Sequence, residues 1–476
     1  MKRMNFFSII LTVAMVACNS QKSVKEEVAT DSFKNTPQEE GTVTIDLSVE
    51  KGEPRYYATG FLHGLSEDCS KPGTEFFDVL KPRNFRGANL GGFWLEGRID
   101  QNLRMLKTYY DHLNPLGVTI DYILLDAWGF WYGNYFLNMP IAFPGDGGDW
   151  TGYEDFCETI ATFVRDNGMR DFQYNLWNEP NLVGWGKSQF WPRPRQQFYE
   201  MWKRGYRKIK FVHPEAVISG PDYAMFSREK DWKEDLEEFL DFCKANDVLP
   251  QVLTLHALPA DPLALKEFAD KALADRNIAD VSVYINEYAC DKEQHPAKAA
   301  WYIARLERAG VRGGRAIWPR AHIVNDAPLW NVSGELNGLM YLDKDMNLSP
   351  TGIWWVYKRY ADITGMLVDT VPSKGDTIDA VAGLRQADQK AQVLLGVNES
   401  GNVGNVTVKI KGLGTMSHWK KNGKVRISLE RIPHNGGKPV EVPEVLRKND
   451  IAIINGEITL QIPWGDAHNA YAVTLE

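Results

Sequence analysis

Cysteine is scarce in this chain. Five residues in 476, with no CxxC pair and no grouping with histidine, give neither a zinc signature nor the density of a disulfide scaffold. A surplus of positive charge is missing too. Lys and Arg number 54 against 62 Asp and Glu, a formal charge of -8, so no global positive field exists to hold a phosphate backbone, and nucleic acid is not expected as a partner. There is no internal repeat of fixed period. Gly60-Phe61-Leu62-His63-Gly64, after the first β-rich run of the body, is not the Gly-rich phosphate turn of an open dinucleotide-binding sheet. What is present is ample apolar material: 44% hydrophobic against 24% charged is the balance of a soluble globular chain rather than a disordered one. At about 150 residues per domain the length suggests two or three units, and two if one is an α/β barrel of about 250 residues or more.

The first residues read as an address. Lys2 and Arg3 precede an apolar run, Phe6 to Val16, broken only by Ser8 and Thr12 and too short to span a bilayer comfortably, which is how an export signal is built. Residues 19 to 40 are polar and charged without periodicity, as in a flexible tether. Met15-Val16-Ala17-Cys18 resembles a bacterial lipoprotein signal. That resemblance implies removal of residues 1–17, lipidation at Cys18, a tether over 18–41, and a body attached to the outer membrane through this lipid anchor only, on its periplasmic face or at the cell surface.

From Tyr56 onward, short β-rich runs alternate with segments of helical period. The strands are read at Tyr56 to Leu62, Asn84 to Ala88, Ile120 to Leu125, Phe172 to Trp177, Ala216 to Gly220, Val252 to His256, Val281 to Asn286 and Arg315 to Trp318. Between them, segments such as Tyr153 to Asn167 place Phe156, Ile160, Phe163 and Val164 at helical intervals, and Arg195 to Val212 and Pro296 to Ala309 do likewise. Eight βα units in succession call for a (β/α)8 TIM barrel, taken here as residues 53–365. After Gly365 the pattern changes to short alternating strands separated by Gly, Asn and Pro: Gln392 to Val397, Val406 to Ile410, Val425 to Leu429, Ile451 to Ile454, Glu457 to Ile462 and Ala470 to Leu475. This is a C-terminal antiparallel β-sandwich, 366–476, which the early strand at 42–52 is expected to join.

In a barrel of this kind, catalytic groups stand at the C-terminal ends of the strands. The fourth ends in Trp177-Asn178-Glu179-Pro180 and the seventh in Asn286-Glu287-Tyr288, so both finish on a glutamate. A carboxylate leaving an apolar strand for a cleft is costly unless paired or functional, and two on one face can hold unequal pKa values. Glycosidic bond cleavage needs such a pair, one acid to protonate the leaving oxygen and one carboxylate to attack the anomeric carbon.

These two motifs resemble those of the clan A retaining glycoside hydrolases. The run Trp177 to Leu182, the tract around Phe190-Trp191, Tyr199 and Tyr206, and the trailing sandwich are most similar to glycoside hydrolase family 39. The resemblance implies that Glu179 is the general acid/base, Glu287 the nucleophile, and Asn178 the side chain that holds the sugar 2-hydroxyl. It also implies an oligosaccharide substrate and no cofactor or metal. His63, Arg86, Asp126, Trp128, His256 and Trp318, at other strand ends, are substrate-binding candidates. Where many clan members carry a tyrosine shortly after the sixth-strand histidine to bond the nucleophile, this chain has His256-Ala257-Leu258, so the partner of Glu287 is expected to be Tyr223 or Tyr288, or to be absent.

Relatives of this kind act mainly from chain ends on xylosides, iduronides and arabinosides, which makes an exo-acting enzyme on plant or algal polysaccharide fragments the first expectation. An endo-acting glycanase and a surface glycan-binding protein without turnover are the alternatives. Arg98, Lys187, Arg193, Arg195, Arg228 and Arg320 fall in loops of the open face and would suit an anionic sugar. Cys157 and Cys243 are expected as buried thiols, while a disulfide between Cys69 and Cys290 is left open.

Overall fold

The computed structural model describes residues 39–87, 99–128, 142–224, 232–316, 334–336, 338–398 and 401–476. The export signal, Cys18, the tether to residue 38, Arg98, Arg228, Trp318 and Arg320 lie outside the described residues. The chain forms two compact units: one takes Tyr57–Tyr288 with Ala309–Asn337, the other the chain up to Tyr56, Ala289–Arg308 and Gly338–Glu476. The earliest strand, β1 (Thr42–Gly52), belongs to the latter.

The former unit is a closed barrel of eight parallel strands: β2 (Gly60–Leu62), β3 (Asn84–Arg86), β4 (Thr119–Ile123), β5 (Phe172–Asn175), β6 (Val217–Tyr223), β7 (Val252–Ala257), β8 (Ser282–Tyr288) and β9 (Arg312–Arg315). β2 closes it against β9 through Gly60 and Gly314. Its helices form where apolar residues recur on one stripe. In Thr151–Asp166 the buried set is Tyr153, Phe156, Cys157, Ile160, Ala161 and Val164. Pro262–Asp275 starts with Pro262 at its first position, and the Asp261 carboxylate accepts from the Leu263 N–H at 3.0 Å.

The first strand begins at Gly60 rather than Tyr56, the fourth stops at Asn175 rather than Trp177, the seventh runs on to Tyr288, and three further departures from the sequence reading shape the site. The eighth runs over Arg312–Arg315, three residues earlier than expected. Its Gly313-Gly314 core has no β-branched residue to announce it, yet space demands glycine: a Cβ on Gly314 would lie 2.6 Å from the Asn286 carbonyl oxygen. The third strand stops at Ile123, and Leu124–Trp128 is a short helix that carries Asp126 and Trp128. The fifth continues to Tyr223 instead of ending at Gly220.

The other unit is built on a nine-stranded, mostly antiparallel sheet. After the hairpin β10 (Met340–Leu342) and β11 (Leu348–Pro350) come β12 (Met366–Val371), β13 (Ile378–Arg385), β14 (Lys390–Val397), β15 (Asn405–Lys411), β16 (Lys424–Ile432), β17 (Glu444–Ala452), β18 (Ile458–Pro463) and β19 (Ala470–Leu475). The order is β17-β16-β19-β14-β13-β12-β1-β15-β18. β1 pairs antiparallel with β12 and parallel with β15. Val43, Ile45, Val393, Leu395, Val408, Ile427, Leu460 and Val473, from strands across the whole order, meet in one core, which is the packing of a sandwich. β12 and β13 were not anticipated, and β17 begins seven residues before Ile451 because its exposed edge shows no apolar alternation to read.

The seventh and eighth helices of the βα series, Pro296–Ala309 and Gly352–Asp362, group with this sheet rather than with the barrel strands. The expected boundary at 365 therefore does not mark the division. Arg305 and Arg308 pair with the buried Asp379 of β13, and Gly396 of β14 lets the helix backbone come so close that a Cβ would lie 2.0 Å from the Trp301 nitrogen. Cys69, Cys157, Cys243 and Cys290 are buried free thiols, so the disulfide left open between Cys69 and Cys290 is not formed.

Candidate active site

Two bulges shape the open end of the barrel. Along β8, Tyr284 pairs with Arg312 and Ile285 with Gly313, but Tyr288 pairs with Arg315; against β7, Thr254 pairs with Tyr284 and His256 with Glu287. Both neighbours thus advance two residues where β8 advances three. The extra residue lets two successive side chains, Asn286 and Glu287, face the interior, which strict alternation forbids. β6 carries a second extra residue, Asp222 (φ +57°), between Pro221 and Tyr223. Its carboxylate turns into the barrel while the ring of Tyr223 turns outward between Trp185 and Phe239.

Glu179 stands just past β5 with a left-handed backbone, φ +43°, a conformation a non-glycine residue holds only when its surroundings fix it. They do fix it. Its N–H donates to the Asp222 carbonyl at 3.1 Å, and its carbonyl accepts from the Ser188 hydroxyl at 2.8 Å and the Leu182 N–H at 3.2 Å. Beneath it, Trp177 is fully buried, donates its indole N–H to the Phe190 carbonyl at 2.9 Å and meets Trp191 edge-on at 5.1 Å.

A single guanidinium organises the centre. Arg86 donates through Nη1 to Glu287 Oε1 at 2.6 Å and through Nη2 to Asn178 Oδ1 at 2.8 Å and to the Asp222 carboxylate. His256 Nδ1 lies 2.9 Å from Glu179 Oε1, while its Nε2 is 3.8 Å from Glu287 Oε1 and 4.0 Å from Asp222 Oδ2. One carboxylate oxygen from each glutamate and one ring nitrogen of His256 lie within 4.8 Å of one another. By donor type this is also a metal-ligand set. The fixed positive charge of Arg86 on Glu287 stands against a cation there, so the arrangement suits proton transfer better.

The electrostatics follow from crowding. Asp121, Asp222, Glu179 and Glu287 share two cationic groups, Arg86 and His256, so each negative charge in the cluster raises the cost of the next. Burial drives the Glu287 carboxyl above the usual range, with His256 and Arg86 opposing and the charges of Glu179 and Asp222 adding to the rise. Burial alone would lower His256, but Glu287, Glu179 and Asp222 outweigh it and hold the imidazole above its ordinary value. Burial would raise Asp222, yet Arg86, His256 and hydrogen bonds hold it below the carboxylate range.

The barrel brings together Glu179, Glu287, Asn178, Arg86 and His256. His63, just past β2, sits next to Arg86, its backbone N–H on the Arg86 carbonyl at 2.8 Å and its Nε2 3.4 Å from Asp126 Oδ2. Gly87, at φ +115°, makes room for that ring, since a Cβ would lie 2.2 Å from His63 Nδ1. Trp128 packs edge-on against Phe156 at 5.3 Å and donates to the Ala142 carbonyl at 3.2 Å. Two expectations are corrected. Tyr223 is buried in the aromatic layer outside the strands, and the Tyr288 hydroxyl donates to the Ala58 carbonyl at 2.8 Å, so of the expected outcomes neither tyrosine is the partner, and Glu287 accepts from Arg86. In the proposed basic ring, Arg193 is committed to Asp146 at 2.6 Å, and Arg195 to Glu238, which leaves neither as a ready anion-binding group.

Asp121, Asn175, Ser219, Asp222 and Asn286 were not singled out from sequence. A polar residue inside an otherwise apolar strand, as in Thr119-Ile120-Asp121-Tyr122-Ile123, was the signal for the first of them.

No protein-family model matches the chain. It is 24% identical over 425 residues to a 3-O-β-L-arabinopyranosyl-α-L-arabinofuranosidase of Bifidobacterium pseudocatenulatum, covering 78% of this chain and 41% of that protein. A β-xylosidase of Caldicellulosiruptor saccharolyticus is 28% identical over 116 residues, 23% of this chain and 22% of the other. The chain therefore spans well under half the length of these relatives. Among solved structures, N2152 from Neocallimastix frontalis superposes with a TM-score of 0.69 at 22% identity, covering 91% and 98% of the two chains. A family 39 glycoside hydrolase from Xanthomonas axonopodis pv. citri gives 0.56 at 13% identity, over 92% and 97%. By sequence the chain is a relative of known glycosidases, and its barrel and sandwich are the fold of the family 39 enzymes and their clan A neighbours.

Proposed function

We propose that this protein is a retaining glycoside hydrolase that removes terminal arabinosyl or xylosyl units from plant-polysaccharide oligosaccharides. The observation that carries the reading is the approach of Glu179 and Glu287 within 4.8 Å. Retaining enzymes hold their carboxyl groups about 5–5.5 Å apart so that one attacks directly; inverting enzymes leave about 6.5–9.5 Å for a water. Glu287 attacks the anomeric carbon as Glu179 protonates the departing oxygen, and a glycosyl ester forms on Glu287. Glu179 then takes a proton from water, which opens the ester and releases the sugar with its anomeric configuration kept.

The neighbours supply the rest. The 2.9 Å contact between His256 Nδ1 and Glu179 holds a proton beside the leaving oxygen. Asn178, its carbonyl taken by Arg86, offers its amide N–H groups to the sugar 2-hydroxyl. The pentose preference rests on the activities named for the sequence relatives, an arabinofuranosidase and a β-xylosidase.

A panel of 4-nitrophenyl glycosides (α-L-arabinofuranoside, β-D-xyloside, galactoside, fucoside, glucuronide) with matching oligosaccharides tests this. Release of 4-nitrophenol from a pentoside, and single sugars from the oligosaccharides, is expected. Oligomeric products would instead indicate an endo-acting glycanase, and glycan binding without any hydrolysis a binding protein.

A further inference from the structure

Below the catalytic glutamates lies a second carboxyl pair that the double displacement does not use. Asp121 on β4 and Asp222 on β6 are both fully buried. The amide of Asn175 reaches both, at 3.3 Å to Asp121 and 3.0 Å to Asp222, and that of Asn286 does the same at 3.4 and 2.8 Å. Their partners are unequal. Asp222 takes the Arg86 guanidinium on one oxygen and the two nearer amides on the other, whereas Asp121 has the Ser219 hydroxyl at 2.6 Å and Arg86 Nε only at 3.4 Å. Charge-assisted bonds favour the ionised form, so the geometry puts the negative charge on Asp222 and a proton on Asp121.

We propose that Asp222 is a positioning residue for the nucleophile: as the charged member of this buried pair it holds Arg86 beneath Glu287 and competes with Glu287 for the same guanidinium. The proposal rests on the reading of Glu287 as the nucleophile. A carboxylate fully engaged by an arginine is a weaker base and a weaker nucleophile, and Asp222 draws part of that charge away. Among the described residues, the charged and titratable groups that act on the pair or on its immediate neighbours include Arg86 on β3, Asp126 after β4, Glu179 after β5, His256 on β7, Tyr284 and Glu287 on β8, and Arg312 on β9. Their directions agree with the assignment. Burial raises Asp121 against the opposing charge of Arg86, while Arg86 and His256 outweigh the burial of Asp222 and bring it down.

The test reads Glu287 itself. In full-length protein labelled with 13C at the glutamate carboxyls, the Glu287 resonance, assigned by its loss in Glu287→Gln, is titrated in wild type, Asp222→Asn and Asp121→Asn. Asp222→Asn is expected to move the Glu287 titration to lower pH, and Asp121→Asn to leave it where it is. On whichever glycoside the protein turns over, Asp222→Asn also moves the acid limb of the pH profile to lower pH and reduces kcat by about 10- to 10²-fold, with KM little changed. An unmoved Glu287 titration in folded Asp222→Asn overturns the proposal, as does an equal shift in Asp121→Asn. If Asp222→Asn does not fold, 13C-carboxyl aspartate spectra of wild type decide, with Asp121 assigned by its substitution. One buried aspartic acid that stays protonated at neutral pH, lost in Asp121→Asn, supports the pair, and two ionised aspartates contradict it. Because the titrations need no substrate, absence of turnover on every glycoside counts against the glycosidase reading without touching this result.

Discussion

Glu287→Gln is expected to cut turnover by at least about 10⁴-fold with the fold intact, as loss of a nucleophile does when binding groups remain. The amide keeps the size of the carboxylate and can still accept from Arg86 Nη1, but it cannot form the glycosyl ester. Glu179→Gln should behave differently. With a 4-nitrophenyl leaving group, which departs without protonation, the first step survives and the second slows, so a burst of 4-nitrophenol precedes slow turnover. With an unactivated oligosaccharide both substitutions are severe. Comparing the two variants on the two substrate types checks the assignment, and a Glu287→Gln variant that keeps ordinary rates on both would remove Glu287 from the mechanism.

Arg86→Met should be the most damaging change to stability. Arg86 is 1% exposed and faces Asp222, Glu287 and, at 3.4 Å, Asp121. Removing one partner of a buried ion pair costs about 3–5 kcal/mol, because the remaining charge is left uncompensated in a medium that solvates it poorly. The loss depends on pH. In wild type, Asp222 is depressed and adds stability above its unfolded value, which is lost as pH falls through its folded value. Without Arg86 the carboxyls are raised instead, so the folded state binds more protons than the unfolded one. The stability of the variant then falls as pH rises from the ordinary carboxylate range upward. Denaturant unfolding at pH 5 and pH 7 checks this: the deficit relative to wild type is expected to be larger at pH 7, and an equal deficit at both would assign it to lost packing rather than to charge.

Much of this molecule was legible in its sequence for a plain reason: helices and barrel strands carry periodic apolar faces. Arg195–Val212 and Pro296–Ala309 were read to the residue. Features that break the period were not. Gly313-Gly314 hides the eighth strand, and the exposed edge of β17 shows no alternation. Of the site, Trp177-Asn178-Glu179-Pro180 and Asn286-Glu287 could be found because a carboxylate at the end of an apolar strand is conspicuous. The floor beneath them could not. Asp222 reaches the interior through an extra residue in β6, and Asn286 and Glu287 share a face through another in β8. Such a bulge shifts a side chain from one face to the other without any mark in composition, which is also why Asp222 enters the interior while Tyr223, beside it, does not.

If Glu287 is the nucleophile, it becomes covalently bound to sugar during turnover, and trapping reads that bond itself. A 2-deoxy-2-fluoro glycoside of the sugar that the panel identifies, carrying a good leaving group, slows both steps and lets the ester accumulate. Peptide mapping by mass spectrometry should then find one glycosyl unit per chain, on the peptide that holds Glu287, and none in Glu287→Gln. An adduct on Glu179, or no adduct together with a first-formed product of inverted anomeric configuration, would remove Glu287 as the nucleophile.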